Sequence, residues 1–301
     1  MRNVFFSQLH EQMKGDERIF LLCADMGLGL VDTFQADFPS RFLNTGICEQ
    51  NMIGVAAGLC NLGFRPFCYT ISNFLIHRCF EQIRNDICLH KHPITLVGTS
   101  TGFDNGMLGA THQVLDDIGC LKALPNMNIY SPSSASFIPA LFRELLDAGQ
   151  PAYVRIGKGG AKAEPFPQGQ NGLVHDNQQS DTVLVSHGTT LSNCLKARDL
   201  ADNCSVFCFN KVKPLNPEDT AFLFGRFKRI VVVEDHFVSS GLYDSLCRSA
   251  VEQKAAGLEL IPLGPPEAYE MAVGDAEYFA QRHGFAAEQI AGQIAERLKD
   301  C

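Results

Sequence analysis

Residues 42–67 read FLNTGICEQNMIGVAAGLCNLGFRPF. A short apolar run ending at Asn44 gives way to a turn containing Gly46. Glu49 then opens a stretch in which Met52, Ile53, Val55, Ala56 and Leu59 recur at helical spacing. Gly63 stops that helix, and a second strand-like run, Phe64–Thr70, follows. Strand, helix and strand in this order form the unit of a parallel sheet. Glu49 stands at the junction. A carboxylate in the first helical turn gains from the helix dipole, which is reason enough for it structurally. The chemical reading is a carboxyl in an apolar pocket, with a raised pKa, suited to sharing a proton with a ligand nitrogen.

The same alternation extends both ways. Before this stretch come a helix over Val4–Met13 and a strand over Ile19–Asp25. After it come a helix over Leu75–Leu89, a strand over Pro93–Thr99, a strand over Met127–Pro132, a helix over Ser134–Asp147 and a strand over Ala152–Gly157. Gly159–Ser180 is rich in Gly, Pro, Gln and Asn and reads as a linker. A second block repeats the pattern. Its strands are Thr182–Gly188, Ser205–Phe209 and Arg229–Asp235, and its helices are Thr190–Asp202, Leu242–Gln253 and Ala286–Leu298. The expectation is an α/β protein of two domains, 1–160 and 181–301, joined by a linker at 161–180. Each domain is a mostly parallel sheet flanked by helices.

Composition narrows the function classes. The chain has 301 residues, 46% of them hydrophobic, and a formal net charge of -8. An acidic balance argues against nucleic acid as a partner. No apolar run is of membrane-spanning length and the N-terminus is unlike a secretion signal, so a cytoplasmic location is expected. The twelve cysteines are scattered through apolar runs without a CxxC, and read as small hydrophobes rather than as metal ligands or disulfides.

The run G-I-C-E-Q-N-M resembles the cofactor-activating motif of transketolases, and further matches follow in the same order. LGFRPFCYTISNFLIHRCFEQIRND resembles the strand and helix that stack aromatics on the thiamine pyrimidine. GMLGATHQ resembles the G-x-T-H-Q loop, and VRIGKGG the basic end of the domain's last strand. KVKPLN and VVVEDHFVSSG resemble the C-terminal domain that transketolases share with 1-deoxyxylulose-5-phosphate synthase.

The resemblance implies a thiamine-diphosphate enzyme that transfers a two-carbon ketol unit between sugar-like substrates. Glu49 would hydrogen-bond the aminopyrimidine and be catalytic with His112. Phe74 would pack on the pyrimidine, with Ile71 and His77, three residues to either side, on the same wall. Arg155 and Lys158, at the strand end, would grip a substrate phosphate, for which a guanidinium fork is suited. His187 carries no assigned role, and His236 reads as exposed and structural.

Two departures stand out. Leu108 occupies the place where the family's loop carries an acid that reads a donor hydroxyl, and Asp104 is the nearest acid that could substitute. The G-D-G…N motif that holds Mg2+ and the diphosphate is absent from the sequence. Metal ligands are therefore expected on an N-terminal transketolase-type partner subunit, within a heterotetramer that also contains homodimer contacts. Two alternatives remain at this stage: the β subunit of a 2-oxo-acid dehydrogenase or decarboxylase, and a non-catalytic assembly subunit.

Overall fold

The apolar runs become strands of two sheets in the computed structural model, which describes residues 1–161, 171–201 and 203–297. In chain order they are β1 (Ile19–Cys23), β2 (Phe42–Asn44), β3 (Arg65–Ile71), β4 (Thr95–Thr99), β5 (Asn128–Tyr130) and β6 (Ala152–Ile156). Then follow β7 (Asn171–His175), β8 (Thr182–Ser186), β9 (Ser205–Phe209), β10 (Lys211–Lys213), β11 (Arg229–Val233) and β12 (Glu259–Leu263). The first sheet runs β10-β5-β6-β4-β3-β1-β2 and the second β12-β11-β8-β9-β7. Only the edge strands β10 and β7 pair antiparallel among the described residues. β1, β4, β6, β8 and β9 are buried along their whole length, so they read as continuous apolar runs instead of alternating ones.

Helices cover both faces of the first sheet. The Arg2–Gly15 and Ile138–Ala148 helices pack Phe5, Leu9 and Phe142 against Leu21 and Val97. The Glu49–Asn61 helix packs Met52, Ile53 and Ala56 against Leu22 and Leu96 on the other face. That second cluster continues without a break into Val183, Val185 and Ile230 of the second sheet, so the two sheets share one apolar core.

The structure revises four expectations. The segment expected as linker is partly a strand: β7 forms the edge of the second sheet, and residues 162–170 lie outside the described residues. β10 comes from the second half of the chain yet pairs with β5 of the first sheet, tying the halves together. The single helix expected over Leu75–Leu89 is broken into a helix at Ser72–Ile76, a turn, a short helix at Phe80–Gln82 and a π-helical stretch at Ile83–Leu89. His236 is fully buried, not exposed. Asp202 and Leu298, the expected ends of two helices, lie outside the described residues.

Arg155 requires the largest correction. It projects from β6 into the seam between the halves and is 1% exposed, so it is neither a solvated strand end nor a free phosphate ligand. Its Nε donates to Asp117 Oδ2 at 3.0 Å, and Nη1 to Asp235 Oδ1 at 2.8 Å. Nη2 donates to the carbonyls of Val114 and Asp235, both at 3.2 Å. Burial opposes ionisation of Asp117, but the Arg155 guanidinium beside it outweighs this and holds the carboxyl below the usual range. Burial also pushes His236 down, keeping that ring neutral. Gly102 shows how tight the seam is: at φ +56°, a Cβ there would sit 2.0 Å from Asp235 Oδ2.

A buried pair broken on one side leaves an uncompensated charge, which typically costs about 3–5 kcal/mol, whereas an exposed contact is worth about 1 kcal/mol or less. Arg155→Leu should therefore lower the urea midpoint sharply, and Lys158→Ala should barely move it. Equal midpoints for the two variants would contradict the placement of Arg155.

Candidate functional site

Glu49 is the first residue of the Glu49–Asn61 helix, and β3 delivers the next element, the Ser72–Ile76 helix, alongside it. Phe74 lies on that short helix. Two polar anchors fix its start. Tyr153 Oη donates to Asp117 Oδ2 at 2.7 Å and lies 3.0 Å from Ser72 Oγ. Asn73 Nδ2 donates to the carbonyls of Thr111 at 2.8 Å and Gln113 at 3.1 Å, clasping the loop that carries His112. The His112 ring consequently rests edge-on against Phe74, with centroids 5.6 Å apart and planes at 81°. Thr111 Oγ1 lies 3.0 Å from His112 Nδ1.

These elements border a cleft of about 440 Å³, lined among others by Asn73, Phe74, His77, Thr111, Asp116 and Tyr269. Tyr269 brings the second half of the chain to the rim. Tyr269 is 85% exposed, as are Ile47 (74%), two residues before Glu49, and Met271 (80%), two residues after Tyr269.

The expected site residues divide. Phe74 and His77 line the cleft, His112 packs edge-on against Phe74, and Glu49 reaches Phe74 through Arg78; neither His112 nor Glu49 is itself among the lining residues. Ile71, at the end of β3, is not among its lining residues. Leu108 sits in a one-turn helix, 60% exposed, away from the lining. Asp104 accepts the Lys158 backbone N–H at 2.7 Å and lines a separate cleft with Phe103, Thr189 and Asp235. Asp104 is pushed up to about 6 by burial, against the Lys158 hydrogen bond. It does not replace the missing acid beside His112. Lys158 Nζ is engaged by the Asp104 carbonyl at 3.0 Å and Asn105 Oδ1 at 2.6 Å.

Sequence reasoning missed Arg78. The pocket around Glu49 is not apolar as expected: Arg78 Nη1 donates to Glu49 Oε2 at 2.5 Å. The same guanidinium lies 4.9 Å from the centroid of the Phe74 ring. The four-residue spacing between Phe74 and Arg78 was the available signal, since such pairs meet on a helical surface.

The residues fit the pyrimidine half of thiamine diphosphate. A half-buried aromatic ring, a buried carboxylate joined to it through Arg78 and a buried Asn73 Oδ1 without a partner match a flat heterocycle edged with nitrogen groups. No cluster of His, Cys, Asp and Glu suited to a metal occurs among the described residues, and none of their helices is long and apolar enough to cross a membrane.

With this geometry in hand, comparison with known proteins gives a consistent answer. The family model for the transketolase pyrimidine-binding domain matches residues 1–162. A chain of Methanocaldococcus jannaschii, named by inference as a transketolase C-terminal section, is 27% identical over 99% of this chain and 96% of its own length. The 1-deoxy-D-xylulose-5-phosphate synthase 2 of Geobacter sulfurreducens is 29% identical over 97% of this chain, which spans 48% of that protein. A solved split-gene transketolase, described as an inactive beta4 tetramer, superposes with a TM-score of 0.86 at 26% identity, covering 99% of this chain and 98% of that one. The chain belongs to the transketolase family, and it corresponds to the family's C-terminal section.

His77 yields a prediction from this geometry. Its Nε2 lies 3.0 Å from Asp116 Oδ1, and that hydrogen bond, aided by Cys120, pushes the imidazole up to about 10. A raised pKa stabilises the fold below the unfolded value, near 6.5, and the contribution fades as pH rises toward 10. Both side chains are partly exposed, so solvent screening reduces the effect. Wild type should lose stability over that window by more than Asp116→Asn does, with His77 titrating above pH 8 by NMR. A ring titrating near 6.5 would contradict the assignment.

Proposed function

We propose that this chain is the C-terminal subunit of a thiamine-diphosphate-dependent transketolase, transferring a two-carbon ketol unit between sugar-like substrates. The grouping around Phe74, which lines an open cleft, touches His112 edge-on and is joined to Glu49 through Arg78, carries the reading. Thiamine diphosphate supplies the carbanion chemistry next to a carbonyl that amino-acid side chains lack. Glu49 binds the pyrimidine edge and holds the proton shared with its ring nitrogen. Phe74 stacks on the ring and fixes its plane. His112, hydrogen-bonded to Thr111 and packed on Phe74, is placed to exchange a proton with a substrate oxygen.

The exposure of Ile47, Tyr269 and Met271, near Glu49 and the cleft, supports a partner, because large apolar side chains grouped on a surface mark an interface. In this reading an N-terminal-type subunit covers the rim and brings the ligands for Mg2+ and the diphosphate. The similarity to a split-gene transketolase points the same way. A second reading draws on the similarity to 1-deoxy-D-xylulose-5-phosphate synthase, in which the donor would be a 2-oxo acid. Release of carbon dioxide during turnover would select it.

Loss of a positioned proton-transfer group typically costs about 10²–10⁴-fold in rate. Glu49→Ala in the assembled enzyme should lower ketol transfer by at least the lower of these factors while circular dichroism and assembly stay unchanged. Undiminished transfer would remove Glu49 from the site and the reading with it.

A further inference from the structure

Arg78 satisfies, at one time, both demands that an aminopyrimidine would make on this chain. Its guanidinium is flat and delocalised, it lies over the Phe74 ring, and it donates to the Glu49 carboxylate. Stacking on Phe74 and hydrogen-bonding Glu49 are the two contacts the pyrimidine needs, and two flat groups cannot share one ring face and one carboxylate edge. The cover is close to complete: the Glu49 side chain is only 3% exposed, whereas that of Arg78 is 43% exposed. The backbone beneath is pinned, since Gln50 Nε2 donates to the Arg78 carbonyl at 2.9 Å. Movement is thus confined to the long side chain, which has open solvent to swing into.

We infer that Arg78 is an internal stand-in for the cofactor's pyrimidine, closing the Glu49–Phe74 site until the cofactor displaces it. The inference rests on the function proposed above and adds a gate to it. Several properties follow from the chemistry. A buried carboxylate without a partner is costly, so a cation that covers it keeps the empty site stable. Displacement opposes cofactor binding by whatever the stacked pair contributes. The gate yields best when the rest of the cofactor is held elsewhere, which couples opening of this site to arrival of the partner subunit.

The test uses the full chain assembled with its N-terminal-type subunit. Binding of thiamine diphosphate with magnesium is followed by calorimetry and by stopped-flow fluorescence. Arg78→Met keeps the length and removes the charge and the donors; Arg78→Lys keeps the charge and removes the flat fork. Arg78→Met should bind about tenfold tighter, equivalent to ~1.4 kcal/mol, with faster association, and Arg78→Lys should fall between it and wild type. A crystal structure of the loaded assembly should show the Arg78 guanidinium away from Phe74. Wild-type binding with unchanged or weaker affinity in both variants overturns the gate and leaves the proposed function standing. No binding by any of the three proteins overturns the function and the gate together.

Discussion

The Arg155 guanidinium, buried between Asp117 and Asp235, is the interaction on which the rest of the structure depends. It rises from β6 of the first sheet, reaches a carboxylate that follows β11 of the second, and takes the carbonyl of Val114 from the loop that carries His112. Three elements are fixed by one side chain. Removing such ions from water is expensive, and the network compensates only because each guanidinium nitrogen is engaged. Its worth lies in position more than in net stability. The cleft exists because the His112 loop is held at one distance from the short helix bearing Phe74 and at another from the segment bearing Tyr269.

From that constraint the site assembles outward. Asp117 also takes the Tyr153 hydroxyl, which reaches Ser72 at the head of the Phe74 helix. Asn73, the next residue, clasps the His112 loop. The buried seam and the cleft are thus linked through Tyr153, Ser72 and Asn73. Glu49 enters from the other side, on a helix set by its apolar packing against Leu22 and Leu96. Nothing in the seam holds its carboxylate, and Arg78 covers it instead.

The parts legible in the sequence were those with local causes. β1, β4, β8 and β9 announce themselves as apolar runs between turns, and the Glu49 helix as a periodic pattern stopped by Gly63. The Glu49, Phe74 and His112 positions could be read because short motifs carry them. What could not be read depends on distant partners. Arg155 looks exposed because it is charged and lies near a strand end beside Lys158, and only the fold brings Asp117 and Asp235 to it. His236 reads as polar and hence outside, yet it packs behind Asp117. β10 is three residues whose pairing with β5 crosses between the halves of the chain. The break after Ile76 is invisible to periodicity, since Leu75, Ile76, Cys79, Ile83 and Ile87 are buried at spacings of three and four across it.

The central claim is that this chain carries the pyrimidine half of a cofactor site and needs another subunit for the remainder. Calorimetric titration of thiamine diphosphate and magnesium into the purified chain, alone and then with an N-terminal transketolase-type subunit, measures this directly. The account predicts negligible heat for the chain alone, and tight binding together with ketol transfer once the partner is present. Tight cofactor binding and ketol transfer by the single chain would contradict it.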